Sequence, residues 1–395
     1  MPGKNSDIEA LRTIAILTVV FAHAYAFFPM PLPMLHQVQS YFDYWGGVDL
    51  FFCVSGFIIT KSLISEMAKG SHSVFSAFAV PFWIKRAFRL WPAAWFWLTF
   101  VLIASIAFNK SGEFGKPLEN FVYQVWAMLH AANVYGFYCK AQAACGANQV
   151  YWSLSLEEQF YLFYPFIFFF LPRKWILASS LLLVAYLFPI NRGGNIMGFF
   201  RLDPILIGVS IALWTEYRTY RNFEPTFLKN GIFSIPLTIG LVIALGVLGS
   251  AKLAIVPQAV GFIAVLSGLF VVIASYDKNY ITNNALAAYL ARTIGARSYS
   301  LYLTHIPAAL FSKELLFRLH MDQIWQFALS GLVLTLLFTE FSYRVVETPL
   351  RNYGRSIARS RRDEILNDHT GPDVQPTILN DEKTFGRKGI IHAAE

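Results

Sequence analysis

The sequence predicts an all-α protein that crosses a membrane about ten times, with the N- and C-termini in the cytoplasm. Of its 395 residues, 56% are hydrophobic and only 14% are charged, whereas a soluble domain carries about a quarter charged residues. The mean hydropathy is +0.47. Many stretches approach the ~20 apolar residues that cross a bilayer as a helix.

Ten apolar stretches are predicted to span the membrane. With the N-terminus inside, most of the Lys and Arg residues of the short loops face the cytoplasm, as the positive-inside rule requires. Segment 119–138 is helical in pattern but carries several polar side chains, and counting it as a span would move most of that charge outside. We therefore predict an interfacial or re-entrant helix there. The predicted spans are 8–28, 47–65, 88–108, 155–171, 174–190, 199–215, 231–249, 255–275, 290–312 and 324–346.

The net charge of +8 is explained by these loops, so no nucleic-acid partner is expected. The first span carries Glu9, Arg12 and His23 and therefore does not resemble a cleavable signal. Residues 7–352 are predicted to form one integral membrane domain. Residues 353–395 are polar and are predicted to form a disordered cytoplasmic tail.

The three cysteines have different expected roles. Cys139 and Cys145 share a loop that we place outside the membrane, where an oxidising compartment permits a disulfide. Two free thiols are the alternative. Cys53 lies inside a span and is most simply a small packing residue.

Arg12 and His23 are eleven residues apart in the first span. At ~100° per residue they share one helix face, separated by about 16 Å along the axis. Snorkelling to the inner interface would explain Arg12 alone, and an interhelical hydrogen bond would explain His23 alone. Ionisable residues inside spans are nevertheless functional candidates, and together these two predict a polar stripe through the membrane.

Two further motifs extend this stripe. Asp49 begins the second span at the depth of His23 and could orient its imidazole as a carboxylate–histidine dyad; a favourable charge at a helix N-terminus is the alternative. Arg86 and Arg89 precede the third span on one helical face. They suit either topology anchoring or bidentate capture of phosphates.

The remaining candidates lie at other span ends. Ser155 and Glu158 match a capping box, which leaves Glu157 as the freer carboxylate on the outer, acceptor side. Other polar side chains expected on that side are Arg201 and Asp203, for which an internal ion pair is the alternative, Tyr302, and His305, the reserve base. Glu347 lies at the inner end of the tenth span, level with Arg12. It is expected either to form an ion pair with Arg12 that holds the cytoplasmic gate or to take part in the chemistry. No pattern of metal ligands is found.

Seven motifs in order resemble the acyltransferase 3 family, and the resemblance covers about residues 7–352. The motifs are Arg12 to His23, GVDLFFCVSGF at 47–57, RAFR at 86–89, WSLSLEEQFYLFYP at 152–165, RLDPILIG at 201–208, SYSLYLTHIP at 298–307 and ETPLR at 347–351.

The resemblance implies a multi-pass acyltransferase of the bacterial inner membrane. Its donor would be cytoplasmic acyl-CoA, usually acetyl-CoA. The acceptor would be a hydroxyl of an extracytoplasmic glycan or lipid-linked sugar, such as a surface polysaccharide or lipopolysaccharide. The family's essential histidine, arginine, aspartate and late glutamate fall on His23, Arg12, Asp49 and Glu347, and its CoA-binding arginine pair on Arg86 and Arg89.

Many relatives also carry a C-terminal SGNH domain, so this chain is expected to act alone or with a separate periplasmic partner. Transfer would be direct, with His23 as general base, or would pass through an acyl-enzyme. A transporter or flippase that uses the same polar residues is the alternative function.

Overall fold

The computed structural model describes residues 5–68, 74–142, 144–192, 195–253 and 255–370, and every regular element within these ranges is helical. The predicted all-α class is therefore confirmed. The α-helices are α1 Ser6–Ala22, α2 Pro33–Tyr41, α3 Gly47–Ala68, α4 Phe75–Ala107, α5 Pro117–Met128, α6 Ala132–Ala141, α7 Tyr151–Phe170, α8 Arg173–Leu187, α9 Leu202–Trp214, α10 Arg218–Asn222, α11 Gly231–Leu248, α12 Ala259–Ser275, α13 Ala285–Arg318, α14 Ile324–Phe341 and α15 Thr348–Thr370.

Helices α1, α3, α9 and α13 form the centre of the bundle. Helix α3 packs against both α1 and α9, and α13 packs along α1 and α14. In the most apolar window of α3, 78% of the residues are buried, against 17% in α11. Helix α11 therefore turns most of its apolar surface outward, as expected of a helix in contact with lipid.

The crossing of α3 and α9 depends on two glycines. A Cβ atom at Gly208 would lie 2.0 Å from the carbonyl oxygen of Cys53, and one at Gly56 would lie 2.1 Å from that of Ile205. Small residues let membrane helices approach until their backbones touch. This crossing brings the first turn of α9 next to the first turns of α3.

All ten predicted spans contain a helix, which supports a multi-pass membrane protein. Within the described ranges, four helices are long and apolar enough to cross a membrane by length and composition, at Gly47–Ala68, Phe75–Ala107, Gly231–Leu248 and Ile324–Asp368. The number of ten crossings stays a prediction. Segment 119–138 forms the short helices α5 and α6, which are broken at His130, where φ is 57°. The 12 residues of α5 extend about 18 Å, too short to cross a bilayer.

Two boundaries differ from the sequence prediction. Helix α1 ends at Ala22, so that His23 is its C-cap and a 3₁₀ turn follows at Ala24–Phe27. Helix α4 begins at Phe75, inside what was predicted as an inner loop, because the apolar residues before the basic cluster pack against the bundle.

The predicted disorder of the tail is wrong for residues 353–370, which continue helix α15. This helix is polar overall, but it packs closely along α4 and buries Ala358 completely. Residues 371–395 of the predicted tail lie outside the described residues.

Cys139 and Cys145 form a disulfide with their Cα atoms 4.8 Å apart. Cys53 is a free, buried cysteine, and this agrees with the packing role predicted for it.

Candidate active site

Three arginines line one cavity inside the helix bundle, which we call the arginine cavity. Arg12 comes from α1, and Arg86 and Arg89 come from successive turns of α4; the cavity has a volume of about 90 Å³. Among the described residues, Glu157 is the single carboxylate on its walls. Other side chains on the walls are Ser55, Tyr161, Ser298, Tyr299 and Tyr302.

The positive charge of this cavity is not balanced by its own walls. The Nε atoms of Arg86 and Arg89 are buried and have no hydrogen-bond partner in the part of the chain that the structure describes. Arg12 is bound only loosely by Glu9, with Nη1 at 3.4 Å from a carboxylate oxygen. Buried charges and donors are normally paired, so these guanidinium groups are arranged to receive an anion.

Glu157 lies on the walls of the arginine cavity, whereas the sequence predicted it on the same side as His23. Its carboxylate accepts very short hydrogen bonds from Ser55 and Tyr161. The predicted capping box is also wrong, because α7 begins at Tyr151 and Glu158 therefore lies two turns inside the helix. Glu158 binds His130 Nδ1 at 2.7 Å.

His23 lies on the wall that two further cavities share at the other end of α1; we call these together the histidine vestibule. Tyr25, Lys140, Trp152 and Phe199 also line both parts. These aromatic and cationic side chains surround a partly exposed imidazole, so a ligand in the vestibule would reach His23 directly.

His23 is paired with a second histidine. His305 Nε2 lies 3.3 Å from His23 Nδ1, and the two ring centroids are 5.1 Å apart. The side chain of His305 is completely buried, whereas His23 is partly exposed. His305 therefore lies behind His23, as seen from the vestibule.

The backbone partners of this pair assign its protons. His23 Nδ1 lies 2.9 Å from the carbonyl oxygen of Val19, and His305 Nδ1 lies 3.2 Å from that of Leu301. A carbonyl oxygen can only accept, so each neutral ring carries its proton on Nδ1. The Nε2 lone pair of His23 remains for a ligand. The lone pair of His305 Nε2 is a second, more distant acceptor for the Nδ1–H of His23, which is shared with the carbonyl oxygen of Val19.

The predicted dyad of His23 with Asp49 is wrong. Asp49 is completely buried and accepts a hydrogen bond of 2.8 Å from Arg201 Nη1. The predicted pair of Arg201 with Asp203 is also wrong, because Asp203 is bound by the buried Arg192. The α3–α9 crossing places the starts of these two helices side by side. Asp49 and Asp203 are each bound by an arginine there, so Asp49 does not orient the imidazole of His23.

Arg201 also contacts two tryptophans on the wall of the vestibule. The guanidinium carbon of Arg201 lies 4.5 Å from the ring centre of Trp45 and 5.3 Å from that of Trp152. Trp45 and Trp152 both line the part of the vestibule that contains Arg192 and Arg201. The arginine thus holds two aromatic faces in fixed positions beside His23.

A partition separates the arginine cavity from the histidine vestibule, although the sequence predicted one continuous stripe. Val48 lines both spaces, and the neighbours Trp152 and Ser153 face opposite sides. Tyr302 donates to the carbonyl oxygen of Val150 at 2.7 Å and lies 2.6 Å from Ser153 Oγ. Tyr302 therefore belongs to the partition rather than to the acceptor side alone.

Glu347 does not pair with Arg12. It accepts hydrogen bonds of 2.8 Å from Arg351 and from Ser300, in a π-helical turn at Ser342–Glu347 that joins α14 to α15. In the described ranges, no group of three or more His, Cys, Asp and Glu side chains could hold a metal ion.

Sequence reasoning missed several polar side chains of this region. Ser55 and Tyr161 bind Glu157, Arg192 pairs with Asp203, and Lys140 lines the vestibule. Ser55 and Tyr161 stand within the quoted motifs at 47–57 and 152–165, so those motifs contained a signal. Lys140 and Arg192 lie outside every motif, and nothing in the sequence marks them.

Several curated proteins are similar to this chain in sequence. The chain is 26% identical over 373 residues to the peptidoglycan O-acetyltransferase OatA of Listeria monocytogenes, covering 88% of this chain and 56% of the relative. It is 26% identical to the O-acetyltransferase OatA of Staphylococcus aureus, covering 90% and 58%. It is 24% identical to the putative peptidoglycan O-acetyltransferase YrhL of Bacillus subtilis, covering 89% and 56%.

The chain spans just over half the length of these relatives. No solved structure matches it significantly. The family profile described as an acyltransferase domain matches residues 5–342. The chain therefore belongs to the acyltransferase 3 family, as its motifs predicted.

Proposed function

We propose that the protein transfers an acetyl group from cytoplasmic acetyl-CoA to a hydroxyl group of an extracytoplasmic glycan. Three relatives are named as O-acetyltransferases, two of them of peptidoglycan. A peptidoglycan-type sugar is therefore the first acceptor to test, ahead of other surface polysaccharides. The enzyme would lie in the bacterial cytoplasmic membrane with the arginine cavity toward the cytoplasm. The family match favours transfer over the transporter alternative.

The observation that carries the proposal is the unbalanced charge of the arginine cavity. The Nε atoms of Arg86 and Arg89 have no partner in a buried position, and Arg12 lies on the same walls. The pyrophosphate of acyl-CoA offers acceptors of the kind that guanidinium groups bind in bidentate fashion. Its long, thin pantetheine arm would extend from there toward the vestibule.

The chemistry would take place at His23. An acceptor hydroxyl in the vestibule would give its proton to the Nε2 lone pair of His23, and the oxygen would attack the thioester carbonyl carbon. The new C–O bond forms as the C–S bond breaks, and the thiolate leaves and takes up the proton from His23. During this step His23 becomes positively charged. Its Nδ1–H would then donate to the lone pair of His305 Nε2, and this hydrogen bond would stabilise the charge.

The partition must open for the arm to pass. The hydroxyl of Tyr302 closes it through its contacts with Val150 and Ser153. A thioester that reaches His23 would have to displace this hydroxyl. Until that happens, the partition would keep water of the vestibule away from the donor.

Mass spectrometry of surface glycans tests the proposal. Cells that express the chain should show muropeptides or other glycan fragments with an added acetyl group, and cells with His23→Ala should lack them at equal protein level. Purified protein should in addition bind acetyl-CoA and hydrolyse it slowly. Protein that neither binds nor hydrolyses it would contradict the proposed donor.

A further inference from the structure

Helix α15 carries a basic face that the proposed reaction has not used. Residues 348–362 contain five arginines and no acidic residue. Arg351, Arg355 and Arg359 follow each other at intervals of four, which places them about 40° apart around the helix. Arg355 and Arg359 are exposed. The face is therefore a row of guanidinium groups along one side of a helix.

This helix is held against the part of α4 that supplies the arginine cavity. A Cβ atom at Gly354 would lie 2.2 Å from the Cβ atom of Phe88, so the two helices touch at the turn between Arg86 and Arg89. Glu66 strengthens the contact from α3, with hydrogen bonds of 3.3 Å from Lys85 and from Arg362. The basic face is thus fixed beside the cavity.

The positive charges of α15 and of α4 influence each other. Partial desolvation lowers the pKa of Arg355, and the positive charges of Arg351 and Arg89 lower it further. Arg351 also has a buried Nε atom without a hydrogen-bond partner, although Glu347 pairs with its Nη1 atom. Like charges brought together in this way repel each other, and a polyvalent anion between them would remove the repulsion.

We infer that the basic face of α15 is a second phosphate-binding surface, outside the arginine cavity, which takes the ribose 3′-phosphate of the donor through Arg355 and Arg359. The inference rests on the proposed function. Acyl-CoA carries a phosphate monoester on its ribose at some distance from its pyrophosphate, so one guanidinium pair cannot hold both. Arg86 and Arg89 take the pyrophosphate, and α15 takes the monoester.

A phosphate group at this position could also belong to an anionic lipid headgroup, which basic segments next to a membrane attract. A lipid would interact with α15 whether or not a donor is present. The two sources therefore differ in whether removing the 3′-phosphate from the nucleotide changes its affinity.

The test compares CoA with 3′-dephospho-CoA as ligands of the full chain in nanodiscs without anionic lipid. The wild type should bind CoA roughly tenfold more tightly than dephospho-CoA, the ratio expected for one hydrogen bond to a charged group. In the double variant Arg355→Ala, Arg359→Ala this preference should vanish while the affinity for dephospho-CoA stays unchanged. The unchanged affinity also demonstrates that the variant is folded.

The matched control is Arg361→Ala, on another face of the same helix, where the side chain pairs with Glu364 at 2.6 Å. It should keep the wild-type preference. A double variant that still prefers CoA would overturn the inference, and so would a preference that appears only with anionic lipid in the nanodiscs. Either result leaves the proposed function standing; absence of binding by both nucleotides would contradict the proposed function itself.

Discussion

The histidine pair supports a prediction that separates its two members. His23 faces the vestibule with an Nε2 atom that has no partner among the described residues, whereas His305 is completely buried and contacts His23 through one hydrogen bond of 3.3 Å. We expect His23→Ala to remove the base, and His305→Phe to remove only the acceptor behind it. Phe is chosen because its ring fills most of the buried space.

The two variants should lower kcat by different amounts. A positioned general base contributes about 10²- to 10⁴-fold to the rate, so His23→Ala should lower kcat by at least about a hundredfold. The hydrogen bond to His305 is stronger by about 1 kcal/mol when His23 is charged than when it is neutral, so His305→Phe should lower kcat about fivefold. The contact of His23 with Val19 remains in that variant and still holds the same tautomer.

The assay is acetyl-CoA-dependent acetylation of a glycan acceptor, with thermal unfolding measured on the same preparations. His305→Gln is the conservative variant, because its amide oxygen can accept from the Nδ1–H of His23, and it should recover most of the rate lost in His305→Phe. Equal losses at the two positions, in variants that unfold at the wild-type temperature, would refute the assignment. A greater loss at His305 would make that residue the base.

Three further predictions concern the donor, the ion pairs and the helix crossing. The double variant Arg86→Ala, Arg89→Ala should raise the KM for acetyl-CoA at least about tenfold, and unchanged donor saturation would leave both as topology anchors. Asp49→Asn leaves a largely buried arginine without its counter-charge and should cost about 3 kcal/mol of stability, seen as a lower unfolding temperature; no change would mean that the pair contributes nothing. Gly208→Ala should cost about 1–3 kcal/mol because its Cβ atom would meet a backbone carbonyl at 2.0 Å. Gly240→Ala, with nothing within 4 Å, should leave the unfolding temperature unchanged, and equal effects of the two glycine variants would contradict the proposed contact.

The fold was predictable where hydropathy decides it. Long apolar stretches form helices in a membrane because a helix satisfies its backbone hydrogen bonds within a single segment. Helix ends were less predictable. Helix α1 ends at Ala22, six residues before the predicted end of that span, and α15 is helical although its composition predicted disorder. Both results depend on contacts with other helices, which hydropathy along the chain does not record.

The site was predictable in its residues but not in their pairings. Arg12, Arg86 and Arg89 do share a cavity, yet Glu157 joined them from the side where the acceptor was expected. Asp49 matched His23 in depth along the membrane, but depth leaves the rotation of each helix open. An ion pair requires both a matching depth and a matching rotation, and the rotation of α3 turns Asp49 toward Arg201.

The sequence by itself determined that this chain is a helical membrane protein of the acyltransferase 3 family, because composition and local motifs are properties of the chain alone. Only the tertiary structure decided which charges neutralise each other, which histidine stands behind the other, and that a partition divides the polar interior. These features arise where helices distant in the chain pack together, and their relative rotation is set by side chains at the crossings, such as Gly56 and Gly208.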